Sequence, residues 1–322
     1  MKKILCAVLT LLISLSAAGC SQNAAPKDDK ISVVAAIFPQ YDWVREILGQ
    51  EQKNIQLTLL TDKGTDLHSF NPSAADIVKI SECDLFLYVG GVSDKWADDV
   101  LKGAQNPDMQ VINLLETLGD EVKYSDTEQV IIPDSENHHE HSHDEVDEHA
   151  WLSLKNAQTI CNAIADSLCA LDPEKEEIYR QNTADYINKL KALDERYKQA
   201  IQNSKRKTIM FGDRFPFLYL TGDYSITCYA AFQSCSAETE ASFETVAFLS
   251  SQLDKLSLPC VLTAEGSDGR VAKTIIENSQ NKNRAVLTMH SMQSVTADEL
   301  KSGITYLSVM ENNLETLKTA LN

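Results

Sequence analysis

Basic residues are scarce in this chain. Its 322 residues include 29 Lys and Arg against 47 Asp and Glu, which gives a formal net charge of −18. Phosphate binding needs a basic surface, so this deficit argues against nucleic acid as a partner. An acidic surface instead raises the local concentration of cations. The length and the hydrophobic content of 43% suit two domains of ordinary size or one large one.

Long apolar runs are also lacking, apart from residues 4–15 near the start. This run is too short to span a bilayer comfortably as a permanent helix. It follows Lys2 and Lys3 and ends in the small residues of LSAAGC at 15–20. The segment resembles a bacterial lipoprotein signal, which is cut before Cys20 and leaves a lipid on that cysteine. We therefore expect a signal peptide at 1–19, a tether at 20–30 and an extracytoplasmic protein anchored to the bacterial cell membrane.

Cysteine motifs are missing as well. No spacing resembles a zinc ribbon or a redox CxxC, and Cys161 and Cys169 lie about 12 Å apart on one predicted helix, too far for a disulfide. We expect most cysteines to be buried small apolar residues. Disulfide pairing is left open among the six that follow Cys20: Cys83, Cys161, Cys169, Cys228, Cys235 and Cys260.

The body of the chain alternates strand-like and helix-like stretches. Single helices between strands predict parallel β-α units with right-handed crossovers. The fold class is therefore α/β, with two lobes that each hold a mostly parallel four-stranded sheet and flanking helices. The predicted strands are 31–37, 55–60, 84–89 and 109–114 in the first lobe, and 208–211, 226–231, 260–264 and 284–289 in the second.

One long helix is predicted between the lobes. Asp172 and Pro173 form a start signal, a capping acid followed by proline at the first helical position. Apolar and aromatic residues then recur at helical spacing to about Asn203, a length of ~45 Å. The predicted domains are thus an N-terminal lobe at 31–171, with an acidic, His-rich loop at 134–149, a connecting helix at 172–203 and a C-terminal lobe at 204–322.

Histidines carry the main functional signal. Five of the seven lie at 138–149, and the other two are His68 and His290. His68 follows the second predicted strand, His149 leaves the first lobe and His290 follows the last strand. Ligands of parallel α/β sheets bind beyond the carboxyl ends of the strands, so these three should line an interlobe cleft. Three neutral imidazoles and one oxygen suit Zn²⁺, whereas Mn²⁺ prefers more carboxylates.

Three motifs together resemble a known family. They read FPQYDWVREI at 38–47, GTDLHSFNPS at 64–73 and DEHAWL at 147–152. They are similar to the opening helix and the first two ligand motifs of the zinc/manganese substrate-binding lipoproteins of bacterial ABC importers, and the His-rich acidic loop is similar to that of the zinc-type members. The resemblance covers residues 31–322. It implies two lobes joined by a rigid long helix, a metal in the cleft and a membrane permease as partner.

The second lobe departs from the family pattern. The family's third ligand matches Gly212 in FGDRFPF at 211–217, and its fourth, commonly aspartate, matches His290. The resemblance therefore implies the metal ligands His68, His149 and His290, with water, Asp213 or Glu265 in the fourth place. The acidic segment at 235–240 also resembles the family, and capping or support is expected there rather than direct ligation.

The resulting hypothesis is a monomeric receptor that captures Zn²⁺ without chemical turnover and delivers it to an ABC permease. Alternatives are a manganese or iron receptor of the same fold, and a surface adhesin or metal-storage lipoprotein that uses the His-rich loop. His139 to His143 also spell HExxH, a metalloprotease motif that needs a helix. With no apolar stripe to bury a helix there, we interpret the match as an accident of composition, and no enzyme is expected.

Overall fold

The computed structural model describes residues 30–124, 130–132, 146–232 and 240–322. The signal peptide, Cys20, the histidines at 138–143 and Cys235 lie outside the described residues, so those expectations stay predictions. Residues Ile31–Asn322 form one compact unit, which begins where the folded part of the chain was expected to begin.

The first sheet has four parallel strands in the order β2-β1-β3-β4. The strands are largely buried, as expected for a sheet covered by helices on both faces. This sheet confirms the prediction for the first half of the chain. Its strands are β1 (Ile31–Ala35), β2 (Ile55–Leu59), β3 (Leu85–Tyr88) and β4 (Gln110–Asn113), and its helices are α1 (Phe38–Leu48), α2 (Ala74–Glu82), α3 (Lys95–Lys102) and α4 (Leu114–Leu118).

The second sheet is also parallel throughout, in the order β5-β7-β6-β8-β9. Its strands are β5 (Val130–Ile131), β6 (Thr208–Arg214), β7 (Thr227–Phe232), β8 (Cys260–Ala264) and β9 (Ala285–Met289). Its helices are α7 (Leu218–Asp223), α8 (Phe243–Lys255), α9 (Arg270–Asn278), α10 (Ala297–Lys301) and α11 (Tyr306–Leu321).

The second sheet differs from the prediction in having a fifth strand, β5. Val130 pairs with Cys228 and Ile131 with Tyr229, so a stretch assigned to the N-terminal lobe adds an edge strand to the other sheet. Two residues inside a polar segment give no recognisable alternation, because strand periodicity needs at least four residues. The predicted lobe boundaries themselves remain a prediction.

Helix α5 (Leu154–Leu171) leads into the long helix α6 (Glu176–Gln202). The predicted stripe on α6 is buried, including Tyr179, Tyr186 and Tyr197. Asp172 does not cap the helix as expected, since its side chain accepts a hydrogen bond from the Tyr179 hydroxyl at 2.9 Å instead. The helix binds both halves: the Asn182 amide donates to Ile47 O in α1, and the Tyr197 hydroxyl donates to Met310 O in α11.

A buried carboxylate also links α1 to α11. Asp42 accepts a hydrogen bond from the backbone N–H of Tyr306 at 2.7 Å and another from Arg45. The Tyr306 hydroxyl in turn donates to Trp151 O at 2.7 Å, which fixes the chain just after the DEHAWL motif. Burial raises the pKa of Asp42 to about 6, although these hydrogen bonds oppose the rise.

Two further observations concern the described helices and cysteines. None of the described helices is both long and apolar enough to cross a membrane. Five cysteines, namely Cys83, Cys161, Cys169, Cys228 and Cys260, are buried, as predicted, and they are free, which the sequence had left open.

Candidate metal centre

His68 is positioned by a short turn after β2. Asp66 begins the turn Leu67–Ser69, and its carboxylate accepts the backbone N–H of His68 at 2.9 Å. The backbone N–H of Leu67 donates to Gln293 O at 3.3 Å, which joins this turn to the loop after β9. His68 thus lies in a turn that contacts the loop after β9.

His149 is fully buried in the turn that precedes α5. The Asp147 carboxylate accepts its backbone N–H at 2.9 Å and lies 3.0 Å from its Nδ1 atom. The next aromatic residue, Trp151, packs with its ring centroid 5.2 Å from that of His149 and donates its indole N–H to Ser291 O. The DEHAWL motif therefore orients the imidazole through its own acid and anchors it through its tryptophan.

The Nε2 atoms of the two histidines face each other at 3.2 Å. The oxygen Oε1 of Gln293 lies 2.9 Å from the same Nε2 of His149. The Nε2 atom of His149 therefore has both the imidazole of His68 and the amide oxygen of Gln293 as neighbours, between the loops that follow β2 and β9. Imidazole nitrogen is one of the usual ligands of Zn²⁺ in proteins, so the histidine pair is the candidate core of a metal site.

The other ring nitrogen of His68 contacts a serine-carboxylate pair. Its Nδ1 atom lies 2.7 Å from Ser93 Oγ and 3.5 Å from Glu148 Oε2. Glu148 accepts the hydroxyl and the backbone N–H of Ser93. A Cβ on Gly91 would lie 2.5 Å from Glu148, so glycine is needed for this close approach. A carboxylate behind each imidazole fixes the ring orientation of metal-binding histidines.

The pKa values of the two histidines move in opposite directions. Burial and the neighbouring His149 ring lower the pKa of His68. Burial alone would lower the pKa of His149 too, but the Asp147 carboxylate and the contact with Gln293 raise it overall. Two adjacent imidazoles cannot both hold a proton at low cost, since like charges repel at this distance. A dication near these rings would be favoured by the carboxylates of Asp66, Asp147 and Glu148 and opposed by the nearby cation Arg214.

His290, the third predicted ligand, makes other contacts. Its Nδ1 atom accepts the backbone N–H of Met292 at 2.9 Å, and its Nε2 atom lies 3.3 Å from Glu299. Its backbone is held by reciprocal hydrogen bonds with Asn313. Over the described ranges, no group of three or more His, Cys, Asp or Glu side chains is arranged to hold a metal ion. The structure thus brings together His68 and His149, while the ring nitrogens of His290 contact Met292 and Glu299.

The expected fourth ligands are engaged too. Glu265 accepts the backbone N–H and the hydroxyl of Ser291, at 2.7 and 2.6 Å. The Asp213 carboxylate accepts the backbone N–H groups of Arg214 and Ala264. Glu265 holds the loop that follows β9, and Asp213 links the ends of β6 and β8, so their hydrogen bonds already account for their positions.

Gly212, the position matched with the family's third ligand, has no room for a side chain. A Cβ there would lie 2.5 Å from the Cα of Ala272 in α9. The helix packs directly on β6 at this point, and any other residue would force the two apart. The sequence departure therefore has a physical cause in the packing of this half of the molecule.

Comparison with known proteins identifies the family of this chain. Residues 33–320 match the profile of the family described as zinc-uptake complex component A, periplasmic. The chain belongs to this family. The resemblance inferred from the three motifs is confirmed, and with it the zinc-type assignment.

Two relatives and one solved structure illustrate the match. The chain is 30% identical over 322 residues to the zinc-binding lipoprotein AdcA of Streptococcus pneumoniae serotype 4, covering 99% of this chain but 61% of AdcA. It is 24% identical over 318 residues to the high-affinity zinc uptake system protein ZnuA of Bacillus subtilis, covering 99% and 96%. The Zn(II)-bound ZnuA-like domain of pneumococcal AdcA matches with a TM-score of 0.70 and 27% identity, covering 91% of this chain and 99% of that domain.

The coverages show how much of each relative this chain matches. The chain spans 61% of the length of pneumococcal AdcA, and its structure matches almost all of the ZnuA-like domain of that protein. The two-sheet α/β fold with a long helix is therefore the family fold, as predicted. The activity of full-length AdcA is a property of that longer protein.

Sequence reasoning missed three residues of the site: Gln293, Ser93 and the supporting role of Glu148. Glu148 lies inside a quoted motif, so its proximity to His149 was visible, but its contact with His68 spans 80 residues of chain. Gln293 lies three residues after His290, and an amide carries no pattern that marks it as a ligand. Only the folded loops bring these side chains together.

Proposed function

We propose that this chain is the extracytoplasmic receptor of a zinc uptake system, which binds one Zn²⁺ and delivers it to an ABC permease. The observation that carries the proposal is the facing pair of His68 and His149, with Nε2 atoms 3.2 Å apart and a carboxylate behind each ring. Zinc is the cargo here. Its capture and release involve no bond-making in a substrate, so the protein is not an enzyme.

The ligand set contains His68 and His149. The third predicted ligand, His290, would have to leave Met292 and Glu299 to join them. Two imidazoles favour zinc over manganese, because imidazole suits zinc and manganese prefers oxygen donors. Manganese remains the alternative cargo if carboxylates come to dominate the site.

The proposed location rests on the leader sequence. Residues 1–19 would be removed and Cys20 would carry a lipid, leaving a monomeric receptor tethered to the membrane beside its permease. The names of the relatives, a zinc-binding lipoprotein and a zinc uptake system protein, support this placement. Transport itself is tested by asking whether the receptor and its permease together restore growth of a zinc-uptake mutant in zinc-poor medium.

The experiment that tests the site is a competition titration with zinc and manganese against a calibrated chelator. We expect one tight zinc equivalent that manganese displaces poorly. His68→Ala and His149→Ala should each weaken zinc binding by at least about 100-fold, more than the loss of a supporting residue costs. Undiminished affinity in both variants would refute the site. Several weak sites without a tight one would favour a storage or adhesin function.

A further inference from the structure

Gln293 is a buried amide whose oxygen lies beside His149, the ring that faces His68. It is 5% exposed, and its Oε1 atom is 2.9 Å from Nε2 of His149. We propose that Gln293 is the third residue that contacts the metal, through its amide oxygen, in place of His290. This proposal deepens the proposed function and rests on it.

The loop that carries Gln293 is held from several sides. The preceding Ser291 is fixed by the Glu265 carboxylate and by the indole N–H of Trp151. Met292 adopts the left-handed conformation with φ of 63°, which non-glycine residues adopt only where the surroundings impose it. These contacts direct the side chain of Gln293 inward before any metal binds, which lowers the entropic cost of ligation.

The same loop ties Gln293 to the first histidine. The carbonyl of Gln293 accepts the backbone N–H of Leu67 at 3.3 Å, one residue before His68. The side-chain oxygen of Gln293 and the ring of His68 are therefore carried by backbone segments that hydrogen-bond to each other. This hydrogen bond fixes the position of the Gln293 side chain relative to the ring of His68.

His290 serves the loop in a different way. Its Nδ1 atom accepts the backbone N–H of Met292, and its Nε2 atom faces Glu299 at the start of α10. Both ring nitrogens thus stabilise the turn that presents Gln293. The residue that the sequence marks as the ligand is, in this reading, a positioning residue for the residue that binds.

The donor chemistry fits zinc with an open position. Two imidazole nitrogens and one amide oxygen are neutral, and water can take the fourth place of a tetrahedral site. The charge of the dication is balanced at longer range by Asp147 and Glu148, which contact the far side of each ring. A site with few anionic ligands in direct contact can release its ion more readily than an all-carboxylate or thiolate site, as delivery requires.

The test compares Gln293→Ala, Gln293→Glu and His290→Ala in the full chain. Zinc affinity is measured by chelator competition, and the donor set by the visible absorption spectrum of the Co²⁺-loaded protein. The spectrum reports direct ligation, which a purely structural change would leave alone. Gln280→Ala, at an exposed glutamine, is the matched control. Thermal unfolding without metal checks that each variant is folded.

We expect Gln293→Ala to weaken zinc binding by at least about 10- to 100-fold and to change the Co²⁺ spectrum. Gln293→Glu keeps an oxygen at the same place, so it should retain the spectrum and bind manganese more tightly than the parent chain. His290→Ala should keep the spectrum even where affinity falls. The control should match the parent in every measurement.

Three results would overturn the proposal. In the first, Gln293→Ala changes neither the zinc affinity nor the Co²⁺ spectrum. In the second, Gln293→Ala lowers the zinc affinity but leaves the spectrum unchanged. In the third, His290→Ala alters the spectrum and Gln293→Ala does not. Each would leave the histidine pair in place. The proposed function would fail separately, through undiminished zinc affinity in His68→Ala and His149→Ala.

Discussion

Gly212 lies so close to Ala272 that a Cβ on the glycine would be 2.5 Å from the Cα atom of the alanine and 2.8 Å from its backbone nitrogen. Strand β6 and helix α9 therefore touch backbone to backbone. This contact occupies the place where the family resemblance implied a third ligand, so position 212 cannot supply a side chain there.

Substituting Gly212 tests this packing. Gly212→Ala should lower the free energy of unfolding by about 1–3 kcal/mol or more, because β6 and α9 must separate to admit the methyl group. Gly212→His should be still less stable and should not tighten zinc binding. Urea denaturation provides the measurement. Gly103→Ala is the control, since its Cβ would lie no closer than 3.6 Å to any atom and its φ is −97°. Equal stability of Gly212→Ala and the parent chain would contradict the structure.

Ser93 is predicted to orient His68 for metal binding. Ser93→Ala removes the hydroxyl that links the Nδ1 atom of His68 to Glu148. We expect zinc affinity to fall about 10- to 100-fold, the usual cost of losing a residue that supports a ligand. Chelator competition measures the affinity.

Ser302→Ala, at an exposed serine directly after α10, is the control for Ser93. It should leave zinc affinity unchanged. A Ser93→Ala variant that binds zinc as tightly as the control would show that the hydroxyl does not hold the ring.

Asp42 should make the stability depend on pH. Burial raises the pKa of Asp42 from 3.8 to about 6 in the folded protein, so folding favours the protonated acid. The folded state then binds more protons than the unfolded state between these values, and stability falls as pH rises through this window. The difference corresponds to about 3 kcal/mol at pH 7.

Asp42→Asn should remove this loss, because asparagine mimics the protonated acid and stays neutral. The stability of the variant relative to the parent should therefore improve by about 3 kcal/mol between pH 4 and pH 7. Urea denaturation at several pH values measures this. Asp98→Asn, at an exposed aspartate, is the control. A constant difference between Asp42→Asn and the parent across the range would refute the buried-acid assignment.

The His-rich run provides a prediction outside the described residues. Deleting residues 137–144 should leave one tight zinc site, since His68 and His149 do not belong to the deleted segment. Weaker additional binding should disappear with the imidazoles that supply it. Counting bound zinc by mass spectrometry and by titration checks this. Loss of the tight ion would mean that the run, rather than the histidine pair, holds the cargo.

The sequence by itself determined the fold class and predicted two histidines that the structure brings face to face. Alternating apolar strands and helices predict parallel sheets because burying both faces of a sheet requires helices between its strands. His68 and His149 stand out because each lies in a local motif whose neighbouring acid, Asp66 or Asp147, binds the backbone of the same turn. Such signals are local, and a sequence displays them directly.

Tertiary packing decided the rest. The fifth strand β5, the exclusion of a side chain at Gly212 and the arrival of Gln293 beside His149 all depend on contacts between residues far apart in the chain. His290 is predicted as a ligand because of its place after the last strand, and this stays a prediction. Only the structure shows that its ring nitrogens contact Met292 in the loop and Glu299 in α10. The carboxyl end of a strand brings a loop residue close to a site, but the hydrogen bonds within the loop determine which side chain points into the site.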